Sequence, residues 1–178
     1  MRFVPSISAW RARRTLRGYI DPKLVDEVVN NPNLQLGPPR HRQLDFIIAL
    51  LRDDNFETLP TLVQKVVQSA APDTESIDGL TGPLILLTFG RFRPEPDAPR
   101  KRRETVARLQ QHLGNDIKVL HGHCTAKVGH LGGHSFAVFG SLLPNFNTML
   151  QTLTVLQFGQ SRELPTAPPT HSGPEQSA

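Results

Sequence analysis

The stretch from Leu44 to Leu51, "LDFIIALL", constrains the fold more than any other part of the chain. It is apolar at odd and at even positions, apart from Asp45. Successive side chains of a strand point to opposite faces of a sheet, so this pattern predicts a central strand that is buried on both faces. A sheet that contains such a strand needs a cover on each side.

Further helices and strands are predicted around this strand from apolar stripes at helical spacing and from proline and glycine at element ends. The predicted helices cover 22–30 and begin near Leu59, Asp97 and Pro144. The predicted strands are the two arms of the hairpin "SIDGLTGPLILLTFG", with a turn over Gly79 to Gly82, followed by "IKVLHGHCTAKVG" and "SFAVFGSLL". This order predicts an α+β sandwich of the ferredoxin-like, split-βαβ kind, preceded by N-terminal helices.

The length of 178 residues suits one domain with flexible ends. Residues 1–20 are predicted to be a basic arm, residues 21–163 the domain, and residues 164–178 a disordered, proline-rich tail. One layer of helices covers only one face of the sheet. A second subunit is therefore an expected cover for the other face.

Cysteine usage and hydropathy bear on the compartment. The single Cys124 has no internal disulfide partner, and no apolar run approaches the ~20 residues needed to span a bilayer. The N-terminal stretch also lacks the continuous apolar core of a signal peptide. These features predict a soluble, cytoplasmic protein.

Basic residues cluster in the first 17 residues and again in "RKRR" at 100–103. Such clusters contact nucleic acid or anionic lipid in some proteins. Here no exposed aromatic residues accompany them for base stacking, so we expect solvated helical faces, with nucleic-acid binding as the lesser alternative.

Three blocks of this chain resemble, in order and spacing, the successive blocks of class III adenylyl and guanylyl cyclase domains. They are "YIDPKLVDEVVNNPNLQLGPPRHRQLDFIIALLRDD", "IDGLTGPLILLTFG" and "AKVGHLGGHSFAVFGSLLPNFNTML". The resemblance covers about residues 19–158. It implies the class III cyclase fold and head-to-tail dimers with catalytic sites at the subunit interface.

The resemblance also implies two carboxylates that hold two divalent ions for phosphate binding and for activation of the ribose hydroxyl. By register these positions carry Leu50 and Pro83, neither of which has a side-chain ligand atom. The expectation is that no Mg²⁺ or Mn²⁺ is held there.

The other positions that the resemblance carries over are changed in most cases. Gly79 and Gly140 stand at the two purine-reading positions, and Gln151 stands in place of a transition-state arginine. Asn147 matches the asparagine that orients the ribose. The resemblance also implies final strands with a triphosphate-binding lysine, and we expect these to be absent because the chain becomes proline-rich after Phe158.

Two alternative metal sites remain open. A shifted register would let Asp53, Asp54 or Asp78 act as metal ligands, although turn positions are the preferred explanation of these residues. His121 and His123 share a strand face and lie near His130 and His134, but their spacing matches no standard zinc motif. Exposed or interface histidines are the expected interpretation, with a pH-sensitive interface as a separate alternative and with Cys124 on the opposite face.

These observations predict a catalytically inactive cyclase-like domain that works by dimerisation or regulation. Its expected partner is a second copy, a cyclase-like protein or another signalling protein. The alternatives are an active adenylate or guanylate cyclase with displaced Mg²⁺ or Mn²⁺ ligands, and a nucleotide-sensing module.

Overall fold

The computed structural model describes residues 40–52, 57–71, 73, 76–91, 94–131 and 138–165. The predicted basic arm and the predicted helix at 22–30 lie outside these residues. The described helices are α1 (Leu59–Ala70), α2 (Ala98–Leu113) and α3 (Phe146–Val155). The described strands are β1 (Arg40–Leu51), β2 (Ser76–Thr81), β3 (Leu84–Phe89), β4 (Ile117–Leu131), β5 (Val138–Leu142) and β6 (Ser161–Glu163).

Within the described residues the six strands form one sheet in the order β2-β3-β1-β4-β5, and β6 pairs with β4 in parallel. The other neighbours are antiparallel. The predicted α+β class with helices packed on a sheet is confirmed. Of the helices in this part of the chain, none combines the length and apolar character of a bilayer-spanning helix.

β1 is the central strand, and both of its faces are buried as its sequence predicts. Ile47, Ala49 and Leu51 pack with α1 and α2 in one apolar cluster. Leu44, Phe46 and Ile48 pack with α3 in a second cluster on the other face. We call these the helix face and the α3 face of the sheet.

The α3 face is less completely covered than the helix face. Leu50, Leu84 and Leu86 belong to its apolar cluster but are only partly buried. Val155, at the end of α3, is 76% exposed, the one large apolar side chain that is exposed among the described residues.

The β2–β3 turn differs from its prediction. The predicted turn residues from Gly79 to Thr81 continue β2, and a bulge between Ile77 and Gly79 adjusts the register. The loop consists of Gly82 and Pro83 alone. Gly82 has φ 58°, which glycine adopts without strain, so the pair suits a tight two-residue hairpin loop.

The chain end also differs from its prediction. β6 was not predicted, because three residues with an exposed pattern give almost no periodic signal. Leu164 was assigned to the tail, yet its backbone N–H donates to the His121 carbonyl at 2.8 Å and its side chain packs against the α3-face cluster. Residues 166–178 lie outside the described part of the chain.

Candidate functional site

The positions of Leu50 and Pro83 lie side by side at one end of the sheet. Leu50 pairs with Leu84 across β1 and β3, and the Leu51 amide donates to the Pro83 carbonyl at 2.9 Å. The side chains that meet here on β1 and β3 are therefore hydrocarbon. On the other side of β1, Leu50 pairs with Lys118 of β4, whose ammonium donates to the Thr154 carbonyl at 3.2 Å.

The positions expected to contact a nucleotide are distributed over other elements. Gly79 lies on β2 after the bulge, and Gly140 lies on β5 opposite Gly129. Asn147 and Gln151 are both exposed on α3, four residues apart and so on one side of the helix. The structure gives the positions of these four residues, and their roles stay predictions.

The alternative carboxylate ligands lie mostly beyond what the structure describes. Asp53 and Asp54 are outside the described residues, and Asp78 lies at the β2 bulge. A cavity of about 440 Å³ opens where β1 ends and α1 begins. The charged residues that line this cavity are two basic and two acidic ones: Arg52, Lys65, Glu57 and Asp116.

A buried charged network lies on the helix face, where α2 crosses the sheet. Asp45 and Arg102 are 2% and 3% exposed, and Arg102 Nη1 lies 2.9 Å from Asp45 Oδ1. The contact has the distance of an ion pair without the alignment of a hydrogen bond, since Asp45 Oδ1 has no hydrogen-bond donor. Arg102 also forms an ion pair with Glu163 of β6. We call Asp45, Arg102, Glu163 and His123 the Arg102 network.

His123 connects this network to the β1–β4 ladder. Its Nδ1 lies 2.9 Å from Asp45 Oδ2, and its Nε2 lies 2.8 Å from Gln43 Oε1. Gln43 in turn donates to the Thr125 hydroxyl at 2.8 Å. Both ring nitrogens therefore face oxygen atoms, which orients the imidazole firmly.

His121 corrects the expectation that the histidines are exposed. It is only 7% exposed, and its Nδ1 has no hydrogen-bond partner. Burial, with the positive charge of Arg102 adding to it, lowers the pKa of His121 below its usual value. The neutral imidazole is therefore the form that the fold favours.

Cys124 lies on the α3 face, opposite its histidine neighbours, as predicted. Burial, followed by the negative charge of Asp45, raises the pKa of its thiol to about 12. Thiolate is the reactive form of cysteine, so the folded chain keeps Cys124 unreactive. Among the described residues, no group of three or more His, Cys, Asp or Glu side chains could hold a metal ion.

The "RKRR" cluster is largely paired with carboxylates. Arg100 contacts Asp97 and Glu104, and Lys101 contacts Glu95 at 2.8 Å. Arg102 is buried within its own network. These pairs leave less free positive charge on α2 than its sequence suggests.

Sequence reasoning missed the Arg102 network, although two signals for it were present. Asp45 is the one charged residue in the apolar stretch from Leu44 to Leu51. Arg102 precedes Val106 by four residues, so it lies on the inward side of α2 with Val106 and Leu109. The third member, Glu163, gave no signal because β6 itself was not predicted.

Comparison with solved structures shows the fold of nucleotide cyclase catalytic domains. The catalytic core of a rhodopsin-guanylyl cyclase, solved with ATPalphaS, matches with a TM-score of 0.60 at 11% identity, over 72% of this chain and 80% of that one. The monomeric guanylyl cyclase domain of the RhoGC fusion protein from the aquatic fungus Blastocladiella emersonii matches with a TM-score of 0.57 at 10% identity. The match covers 71% of this chain and 83% of that one.

A bacterial light-regulated adenylyl cyclase matches with a TM-score of 0.55 at 12% identity, over 83% of this chain and 50% of that one. No protein-family model matches the chain, and no curated protein sequence matches it. The chain is therefore cyclase-like in fold, as the resemblance implied. At these identities the similarity extends to the fold and not to the activity.

Proposed function

We propose that this chain is a cyclase-like domain that does not cyclise nucleotides and acts by association. The partner is a second copy of the chain, a cyclase-like protein or another signalling protein, and the setting is the cytoplasm. The proposal has two parts, the absence of turnover and the presence of an association surface, and each is supported by different residues.

One observation carries the first part. Leu50, Leu84 and the Pro83 carbonyl meet at the end of the sheet where the cyclase resemblance requires two metal-binding carboxylates. Divalent ions in such sites neutralise phosphate charge and activate the attacking oxygen, and they require oxygen ligands. A leucine and a proline supply none from their side chains.

The remaining positions agree with this proposal. Gln151 carries no positive charge to offset the negative charge that develops on phosphate. Gly79 and Gly140 have no side chain with which to read a purine. Asn147 alone keeps a group that could contact a ribose.

The second part rests on the partly covered α3 face. Leu50, Leu84 and Leu86 are partly buried there, and Val155 is 76% exposed. Association would remove this apolar area from water and so stabilise a dimer. We favour a second copy because the resemblance implies pairing of like domains.

Two alternatives make different predictions. An active cyclase would bind Mg²⁺ or Mn²⁺ through Asp53, Asp54 or Asp78 and would turn over ATP or GTP. A nucleotide-sensing module would bind a nucleotide saturably without turnover. The cavity that adjoins the end of β1 is the feature that keeps these alternatives worth testing.

Calorimetry with ATP and GTP, each with and without Mn²⁺, tests the first part. We expect no metal-dependent heat. Saturable binding that requires Mn²⁺ would contradict the account of Leu50 and Pro83, and metal-independent binding would favour the sensing module.

Light scattering tests the second part through the mass of the chain in solution. We expect a dimer that Val155→Asp weakens, because a charge would be buried in the interface. Gln111→Asp is the matched control, since Gln111 is exposed on α2. A monomeric mass at every concentration tested would contradict self-association.

A further inference from the structure

The C-terminal strand β6 and the following Leu164 contact both faces of the sheet. Glu163 reaches Arg102 on the helix face, and Leu164 packs into the cluster on the α3 face. We propose that β6 and Leu164 form a strap, latched by Arg102, that controls access to the cavity beside Cys124. This inference does not depend on whether the domain turns over nucleotides.

The latch is the Arg102–Glu163 ion pair. Arg102 is held from the other side by Asp45, which is 2% exposed, so the guanidinium stays in place when the strap moves. The Glu163 side chain is 52% exposed and belongs to the strap. Loss of the Glu163 charge therefore releases the strap and leaves the Asp45–Arg102 pair intact.

The backbone attachment of the strap is short. β6 has three residues and, within the part of the chain that the structure describes, pairs only with Val119, Leu120 and His121 of β4. Its ends are held by the Leu164 amide on the His121 carbonyl at 2.8 Å and by the Val119 amide on the Gln160 carbonyl at 3.0 Å. Gln110 of α2 adds a hydrogen bond to the Ser161 hydroxyl at 2.9 Å. So few ladder bonds make β6 a segment that opens before the rest of the sheet.

Beneath the strap lies a cavity of about 210 Å³. Phe46, Cys124 and Met149 line it, and Leu164 and Pro165 form part of its wall. Gly122 allows the close fit, because a Cβ there would lie 3.2 Å from the Leu164 Cβ and 3.3 Å from the Phe46 Cζ. Displacement of Leu164 would widen the cavity and expose the Cys124 thiol.

Cys124 is the single cysteine of the chain, so its reactivity reports the opening directly. The raised pKa of the buried thiol keeps labelling slow while the strap is closed. When the strap opens, solvation restores the ordinary reactivity of the thiol, and the labelling rate follows the open population.

The test compares the rate of N-ethylmaleimide labelling in the wild type, Glu163→Gln and Arg162→Gln, at one pH. Arg162→Gln is the matched control, because Arg162 is an exposed residue of the same strand. We expect about tenfold faster labelling of Glu163→Gln, since a charge-assisted contact to a partly exposed carboxylate has a modest strength. Arg162→Gln should label at the wild-type rate.

A second variant and a denaturant series keep the test decisive. Leu164→Ala removes the packing without touching the latch, and it should also label faster. The rates should hardly change in low urea, because a local opening exposes little surface. Equal rates in Glu163→Gln and the wild type would overturn the proposal, as would rates that rise with urea in parallel with global unfolding.

Discussion

Asp45 is the residue at which the charges of the helix face meet. It contacts Arg102 and His123 from a position that is 2% exposed. A buried charge that loses its partner retains its desolvation penalty without the compensating attraction. The value of Asp45 to the fold is therefore best measured by removing it.

Asp45→Ala should lower the free energy of unfolding by about 3–5 kcal/mol. Arg102 would stay buried after it had lost its buried carboxylate partner, and the half-exposed Glu163 would remain to offset its charge. Urea denaturation measures this. Glu104→Ala is the control, since it breaks an exposed pair with Arg100 on the same helix and should lower the free energy of unfolding far less. Equal effects of the two substitutions would show that the Arg102 network does not stabilise the fold.

His121 makes stability depend on pH. Its pKa is lower in the folded chain than in the unfolded chain, so the unfolded chain binds more protons between the two values. Stability contributed by the neutral imidazole is complete above the unfolded pKa of ~6.5 and is lost as the pH falls through the folded value.

Denaturation at a series of pH values should therefore show stability falling from pH ~7 downward. His121→Leu should have a flatter profile over the same range, because it has no proton to take up on unfolding. An NMR titration of His121 with a midpoint at or above ~6.5 would contradict this prediction.

Asp45 also shows how far a buried ion pair can be predicted from the sequence. A single acid in an apolar strand indicates a buried partner, and Arg102 stands at the inward register of α2. The identity of the pair could not be derived from the sequence, because two residues 57 positions apart meet only through the α2–β1 packing.

Among the elements, α3 covers one face of the sheet with a single helix. Leu153 is 1% exposed within it, whereas Val155 is 76% exposed. Leu153→Ala should destabilise the chain by about 2–5 kcal/mol, as expected for a buried leucine that leaves a cavity. Val155→Ala should change stability by less than about 0.5 kcal/mol. Thermal and urea unfolding of the two variants measure the difference, and a large effect of Val155→Ala in a monomer would contradict the assigned orientation of α3.

Element prediction succeeded where the apolar pattern was long. α1, α2, β4 and α3 lie where periodicity and end residues placed them, and β1 extends the predicted strand from Leu44 back to Arg40. The β2–β3 turn was misplaced because Gly79 and Thr81, which are typical turn residues, lie in the extended strand β2. A bulge between Ile77 and Gly79 shifts the register there. β6 was missed because its pairing partner, and not its own sequence, makes it a strand.

The sheet of this molecule has apolar side chains on both faces. Two helices cover the helix face, and among the described elements α3 alone covers part of the other. The sequence predicted the two-sided burial of β1, and the two apolar clusters confirm it. The sequence also predicted the class of fold, which solved cyclase structures share. It could not predict how much of the α3 face remains open, because that depends on how far α3 extends over β1 and β3. The roles of Leu50, Pro83 and Gln151 remain predictions from their chemistry.

We propose that hydrocarbon at Leu50 and Pro83 removes nucleotide cyclisation from this cyclase-like fold. The most direct measurement is the formation of cyclic AMP and cyclic GMP from ATP and GTP with Mg²⁺ or Mn²⁺, using the purified chain at a concentration where its mass is known. We expect the amount of cyclic nucleotide formed to equal that in a control reaction without protein. Metal-dependent product that disappears in Asp53→Ala or Asp54→Ala would contradict it and would establish an active cyclase with displaced ligands.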